Sequence, residues 1–413
     1  MDIIYPCVAG LDLHQKTIVA AVRKIVAGAN LEEEVRTFGT MTRDLLELSD
    51  WLAASGVTHV AMESTGVLWK PVWNILDGHF ELLLVNPREL KQVPGRKSDI
   101  RDSQWIAQLL QYGLLRSSFV PPRPQRDLRD LTRHRAQLEG ERTRIANRIH
   151  KLLEDANIKL ATVASDILGV SGREMLDRLV AGEEDAAQLA QSARRKMKSK
   201  IPQLELALQG KFLDHHRFML KQLLSHLDYL DGQIAQFNAR IEELLVPFVD
   251  DELREKLDAV PGVDATTIQN VVAEIGTDMN QFPTDAHLSS WAGICPGNEE
   301  SAGKRKRSKT TKGDRWLRRS LTQAAWAATR THDCYLAAQY HRLAGRRGKK
   351  RALVSVAHSL LIVIYHIIKY RVDYHELGPD YFLRLEPERQ KRYLLKRLEQ
   401  LGYEVQLTEK KAA

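Results

Sequence analysis

Cysteine is scarce in this chain: three residues in 413, Cys7, Cys295 and Cys334, far apart and with no CxxC pair. That spacing supports neither a disulfide framework nor a zinc ribbon, and it fits a reducing cytosol. Paired glycine-rich phosphate loops are missing as well. Their absence argues against an actin-like ATPase, even though the chain opens on a strand followed by an aspartate. No signal peptide is expected at the start. Long apolar runs are also few. The most apolar late stretch, residues 352–368, contains His358 and His366 and is flanked by Lys and Arg. It is short for a bilayer span, so a buried core helix is expected and no membrane partner.

Positive charge, by contrast, is plentiful. Lys and Arg number 61 against 53 acids, a net charge of +8, which favours a polyanionic partner without identifying one. The distribution is more informative. Lys304, Arg305, Lys306 and Arg307 begin a segment that continues through Lys309, Lys312, Arg315, Arg318 and Arg319. Arg346, Arg347, Lys349, Lys350 and Arg351 form a second cluster. A solvated surface explains one such run, whereas two runs beside a candidate metal site are better explained by phosphate contact.

Four acids suggest that metal site. Asp12 sits in Gly10-Leu11-Asp12-Leu13-His14, Glu63 closes Val60-Ala61-Met62-Glu63-Ser64, and Asp99 and Asp102 lie in Lys97-Ser98-Asp99-Ile100-Arg101-Asp102. Short apolar runs over 8–12, 17–22 and 34–38 predict a three-stranded meander. Helical spacing over 44–54, 67–76 and 98–115 alternates with buried-type strands over 58–62 and 81–85. The resulting order, β-β-β-α-β-α-β-α, is that of an RNase H-like mixed sheet. In it the first and fourth strands are neighbours, so Asp12 and Glu63 would lie side by side. Asp99 and Asp102, three apart on a helix, would share a face. Singly, each acid is as easily a turn residue, a helix-dipole partner or a solvated strand end. Together they match what two divalent ions need, since closely spaced cations repel and require several carboxylates. An all-carboxylate set suits Mg²⁺, with Mn²⁺ able to replace it.

Pro121, Pro122 and Pro124 end this first domain (1–120), because a helix cannot continue through them. Leu131, Leu138, Ile145 and Leu152 then recur every seven residues. Leu220, Leu223, Leu227, Leu230, Ile234, Phe237, Ile241 and Leu244 alternate by threes and fours, a coiled-coil seam. A helical stalk is expected over 125–246, with its pairing within or between chains left open. A further helical domain, 252–375, begins with Val260-Pro261-Gly262-Val263 between two helices. That is the layout of a helix-hairpin-helix whose amides, Gly262 among them, can hold a phosphate, although an ordinary αα-corner has the same layout. Trp316 suits nucleic-acid contact, but its helical spacing favours the core. A basic helical tail over 376–413 completes an α/β plus all-α chain.

These motifs, in this order, resemble the DEDD insertion-sequence transposases of the IS110 family, in particular the IS1111-like branch. The resemblance spans essentially the whole chain. Besides the acidic motifs it rests on Trp291-Ala292-Gly293-Ile294-Cys295-Pro296-Gly297, Glu300-Ser301-Ala302-Gly303-Lys304 and Lys312-Gly313-Asp314-Arg315-Trp316-Leu317-Arg318. It implies a RuvC-like first domain, a coiled-coil middle and a C-terminal transposase domain. It also implies that Asp12, Glu63, Asp99 and Asp102 are the metal-binding tetrad and that a C-terminal serine becomes covalently joined to DNA. Ser301 matches that serine, although this chain reads Ser-Ala-Gly where many relatives read Ser-Gly; Ser308 in the same loop is the second candidate. A bridge or seeker RNA as guide, donor and target DNA as substrates, assembly as a dimer or tetramer, and a cytoplasmic, nucleoid-associated setting in a prokaryote are further implications. Two other accounts compete. A hydrolytic nuclease of the Holliday-junction-resolvase type would share the tetrad but use water. A non-catalytic nucleic-acid scaffold would need neither tetrad nor serine.

Overall fold

The computed structural model describes residues 3–26, 30–90, 102–296, 300–301, 304–305, 310–385 and 387–406. By its internal contacts the chain divides into two compact units, Met1–Pro121 and Pro122–Ala413.

The first unit is built on five strands: β1 (Cys7–Leu13), β2 (Thr17–Val26), β3 (Asn30–Gly39), β4 (His59–Glu63) and β5 (Glu81–Val85). Helix α1 (Thr42–Ala54) follows β3, α2 (Trp69–Leu76) joins β4 to β5, and α3 (Pro87–Leu90) and α4 (Asp102–Gln111) complete the unit. The sheet order is β3-β2-β1-β4-β5. Strands β1, β2 and β3 pair antiparallel, whereas β1–β4 and β4–β5 are parallel. As the sequence spacing predicts, the first and fourth strands are neighbours.

Alternation along β1 explains the layers, because successive side chains in a strand point to opposite faces. Ala9, Leu11 and Leu13 join Leu45, Leu48, Leu52, Val72 and Leu76 of α1 and α2 in one core. Val8 joins Ala21, Ala61, Val85, Ile106, Ala107 and Leu110 in a second core on the other face, under α4. Strand β3 is longer than the apolar run suggested, and mostly exposed. Its Glu32, Glu33 and Glu34 place charge along a sheet edge, which discourages pairing with another chain.

The second unit is helical. Two long helices, α5 (Arg123–Asp155) and α10 (Asp214–Leu245), flank α6 (Leu160–Val163), α7 (Val170–Ala181), α8 (Ala186–Ala190) and α9 (Ile201–Ala207). They pack against each other, and the contacts His216–Asp155, Arg142–Asp231 and Arg135–Asn238 run in opposite senses along them, so the pair is antiparallel. The buried stripes differ in part from the predicted seams. On α10 the predicted Leu220, Leu227, Leu230 and Ile241 are buried, and Leu223, Ile234 and Phe237 pack half-buried against the same core. Leu224 and Leu245 join the buried stripe, and Leu244 lies beside it. On α5 the stripe is Leu128, Thr132, Arg135, Leu138, Ile145, Ile149 and Leu153, so Leu131 and Leu152 are displaced from it. The physical reason is drift: a helix of 3.6 residues per turn slips by about 20° per heptad against a strict seven-residue repeat.

Beyond the pair come α11 (Asp251–Asp258), α12 (Ala265–Ile275), α13 (Asp285–Ala292), the short strands β6 (Glu300–Ser301) and β7 (Lys304–Arg305), and α14 (Arg315–Ala328). Then follow α15 (Tyr335–Arg347), α16 (Lys349–Tyr370), α17 (Tyr381–Leu385) and α18 (Pro387–Gln400). Helix α16 buries Val356, Leu360, Leu361, Ile364 and Tyr365, and the Tyr365 hydroxyl donates to the Phe282 carbonyl at 2.9 Å. It is also the one helix among the described residues with the length and composition of a membrane span; half of its apolar window is buried within the fold.

Candidate active site

Strand register decides where Asp12 and Glu63 stand. Gly10 is paired with Ala61 and Leu11 with Met62 in the parallel β1–β4 ladder, so Asp12 and Glu63 are the next residues on adjacent strands. Both share the face of Gly10 and Ala61, since side-chain direction repeats every two residues. Helix α4 covers that face very closely. A Cβ on Gly10 would lie 2.2 Å from the Ser103 carbonyl oxygen and 2.4 Å from the Ala107 nitrogen, so only glycine admits the helix here. Asp102 opens α4 immediately before Ser103, and its side chain is exposed. Asp99 lies outside the described residues.

Two residues to which the sequence-based reading gave no role touch these acids. His14 places Nε2 3.1 Å from Asp12 Oδ2, and the Thr65 hydroxyl donates to Glu63 Oε1 at 3.0 Å. Each lies two positions beyond its acid, a spacing too common to signal a role unaided. Among the described residues Asp12, Glu63 and Asp102 have no Lys or Arg partner, and no three His, Cys, Asp or Glu are grouped to hold a metal ion. Carboxylate oxygens are the donors that a hard cation takes, and Asp12 and Glu63 share the sheet face that α4 covers.

The second unit carries the basic loop. Ser301 pairs with Lys304 and Glu300 with Arg305, and the stems of the loop meet again where Pro296 bridges Thr310. At its base a Cβ on Gly293, which has φ +67°, would stand 2.4 Å from the Gly313 nitrogen. The predicted site residues Lys306, Arg307 and Lys309, and the alternative nucleophile Ser308, lie outside the described residues. Lys312 and Arg315 are exposed, Arg315 with its guanidinium 4.7 Å over the Trp316 ring, and Arg318 is half-buried. Trp316 itself is half-buried, where its helical spacing favoured the core. Arg319 is already engaged: it donates to the Ala136 carbonyl at 3.1 Å and approaches Glu139 at 3.9 Å. Gly262 has a packing reason of its own. At φ +83°, its Cβ would meet the Ala324 oxygen at 2.3 Å and the Ala328 nitrogen at 2.6 Å, so the α11–α12 turn rests directly on α14. Asp264 caps α12, accepting from the Thr267 amide at 2.7 Å.

A buried ionic network anchors the loop's exit. Asp314 caps α14 through the Trp316 and Leu317 amides, each at 2.8 Å, and accepts from Arg133 at 3.1 Å. Arg133 also grips Glu274 with two bonds of 2.7 and 2.8 Å, and Arg129 adds a third contact at 3.1 Å. Burial pushes the Glu274 carboxyl above its ordinary value, while Arg133 and Arg129 pull it back. Sequence reasoning missed this network, whose members are dispersed over residues 129–314.

Residues 9–158 match the transposase family model of DEDD IS110 type, and residues 254–342 match a second model described as "Transposase IS116/IS110/IS902 family". The transposase for insertion sequence element IS1111A of Coxiella burnetii is 25% identical over 300 residues, covering 70% of this chain and 72% of the relative. The transposase for insertion sequence element IS1328 of Yersinia enterocolitica is 24% identical over 284 residues, covering 68% and 73%. The two models fall on the carboxylate-bearing sheet and on the helices that frame the basic loop, and the chain belongs to the IS110 family of insertion-sequence transposases.

Proposed function

We propose that the protein cuts and rejoins DNA strands by serine attack on a backbone phosphate, with Asp12, Glu63, Asp99 and Asp102 holding Mg²⁺ or Mn²⁺. The observation that carries this reading is the register of β1 and β4, which sets Asp12 and Glu63 side by side on the face covered by the helix that Asp102 opens. When bound, divalent ions offset the charge that develops on attacking and leaving oxygens.

The protein's own residues do the rest. Ser301, from the same or a second subunit, supplies the hydroxyl, which must lose its proton to react well at neutral pH. A carboxylate of the set takes that proton as the Ser301 Oγ–phosphorus bond forms. The bond to the 3′ oxygen breaks, and the departing strand end takes up a proton to become a 3′-hydroxyl. Rejoining reverses these steps with a new 3′-hydroxyl. Lys304, Arg305, Lys306, Arg307, Lys309 and Lys312 neutralise the phosphate, with Arg315, Arg318, Arg319 and the hairpin at Gly262 gripping neighbouring backbone. A guide RNA chooses the sequence by base pairing while the protein holds backbone and shape. The setting is the prokaryotic cytoplasm, and the working form is a dimer or tetramer.

The test is a denaturing gel on labelled DNA carrying a recognition end. The expected result is a protein–DNA adduct that requires divalent metal and is lost in Ser301→Ala but retained in Ser308→Ala. Cleaved DNA with no adduct would replace this reading with the hydrolytic nuclease. Sequencing of nucleic acid copurified with the protein checks guidance: one discrete structured RNA is expected, and random cellular RNA would overturn it.

A further inference from the structure

The exposed face of α14 forms one wall of an open groove. Arg315, Arg318, Thr322, Gln323 and Trp326 line it, and Leu353 of α16 closes the other side. No acid lines it, and among the described residues Arg315 and Arg318 have no acidic partner. Lys349, Lys350 and Arg351 stand exposed at the start of α16, just before Leu353. Trp326 is 44% exposed, an uncommon setting for so large an apolar ring. The Arg330 guanidinium lies over the ring, 5.1 Å from its centre, and Tyr340 meets it edge-on at 6.3 Å.

We propose that this groove binds unpaired DNA, with one base stacked on Trp326 and the adjoining phosphates held by Arg315 and Arg318. The pattern joins the two parts that single-strand binding needs, a cationic track for the backbone and an aromatic face for a base. Arg318 and Trp326 are eight residues apart, roughly 12 Å along the helix, so a few nucleotides span them. In a duplex the faces of the bases are stacked on one another and only their edges reach a protein, which leaves Trp326 without a partner. Unpaired DNA is the fitting occupant for a transposase, because strand exchange separates paired strands. Thr322 and Gln323 carry a hydroxyl and an amide, which can bond the edge of a base lying on the ring. The inference rests on the DNA-handling role proposed above, but not on the serine step.

The experiment uses full-length protein carrying Ser301→Ala, so that no adduct forms, and fluorescence anisotropy with a labelled oligothymidylate of about 15 nucleotides. Trp326→Ala is expected to weaken that binding about tenfold, since a stacked base is worth a factor of that order. Trp326→Phe should restore most of it, and a blunt duplex should bind both proteins within about twofold. Replacing the thymines by abasic sites should erase the difference between the Ser301→Ala protein and the same protein carrying Trp326→Ala. Equal binding of oligothymidylate by both proteins overturns the platform, as does an equal loss on duplex and single strand with the thermal melt unchanged. Tighter binding of oligouridylate than of oligothymidylate, abolished by Trp326→Ala, overturns DNA as the occupant.

Discussion

Two sets of acids in this molecule stand in opposite circumstances. Glu274 is 2% exposed and saturated, with Arg133 gripping both its oxygens and Arg129 alongside. Its charge ties α5 to α12, and through Arg133 and Asp314 to α14. Asp12 and Glu63 stand at the ends of adjacent strands of a rigid sheet, and their partners are a histidine and a hydroxyl. The Asp12 side chain is 26% exposed. Glu274 has its charge compensated inside the fold, whereas among the described residues Asp12 and Glu63 have no Lys or Arg partner, which is the arrangement that the proposed metal-binding role requires. Neighbouring like charges cost stability, and such local costs concentrate at functional sites.

The contrast breaks most readily at its two poles. Asp12→Asn is expected to reduce DNA strand cleavage about a thousandfold, the scale of several kcal/mol of lost charge stabilisation. The unfolding midpoint should stay level or rise slightly, because a repulsion has been relieved. Added Mg²⁺ should raise the midpoint of the wild-type protein and not that of the variant. Plasmid-nicking gels and thermal melts read both. Glu274→Ala should do the reverse in kind, costing about 3–5 kcal/mol in urea unfolding because the half-buried Arg129 and Arg133 lose the buried carboxylate they share. A Glu274 variant as stable as the parent would place that acid with the functional pair.

The sheet was legible because its signals are local. Short apolar runs at 8–12, 17–22, 58–62 and 81–85 all became strands, and their order alone placed Asp12 beside Glu63. Asp102 was legible as the head of a helix; Asp99 falls outside the described residues. The stalk seams held at Leu138, Ile145, Leu220, Leu227, Leu230 and Ile241. The buried stripe passed to a neighbour at Thr132, at Leu224 and at the helix ends, where Leu153 and Leu245 are buried beside Leu152 and Leu244, because heptad counting assumes 3.5 residues per turn. The network of Arg129, Arg133, Glu274 and Asp314 was invisible, since no periodicity links residues so far apart in sequence. Gly10, two residues before Asp12, carried its information unnoticed: it lets α4 lie against β1.

That glycine sharpens the comparison at intermediate size. Gly10→Ala should cost about 1–3 kcal/mol, the usual penalty for forcing a methyl group into packed backbone. It should also lower cleavage by more than its stability loss explains, because α4 carries Asp102 and must move away from β1. Cleavage assayed well below the unfolding midpoint separates the two effects. Full activity there would mean that the position of α4 does not matter to the carboxylates.

The smallest effect is expected from a pair that is neither buried nor left alone. Arg173 on α7 donates to Asp228 on α10 at 2.8 Å, and also holds Asp177 at 2.9 Å. The Asp228 side chain is 55% exposed. Its hydrogen bond from Arg173 draws the carboxyl below its ordinary 3.8. For a depressed acid the stabilisation is complete above the unfolded value and fades as the pH falls through the folded one, so the pair helps at neutral pH and is lost below about pH 4. Asp228→Asn should therefore cost under about 1 kcal/mol at pH 7, less in high salt and nothing in strong acid, because water and ions screen an exposed pair. A larger, salt-insensitive loss in urea unfolding would mean that this contact behaves like the Glu274 network, and that exposure alone does not separate structural acids from functional ones.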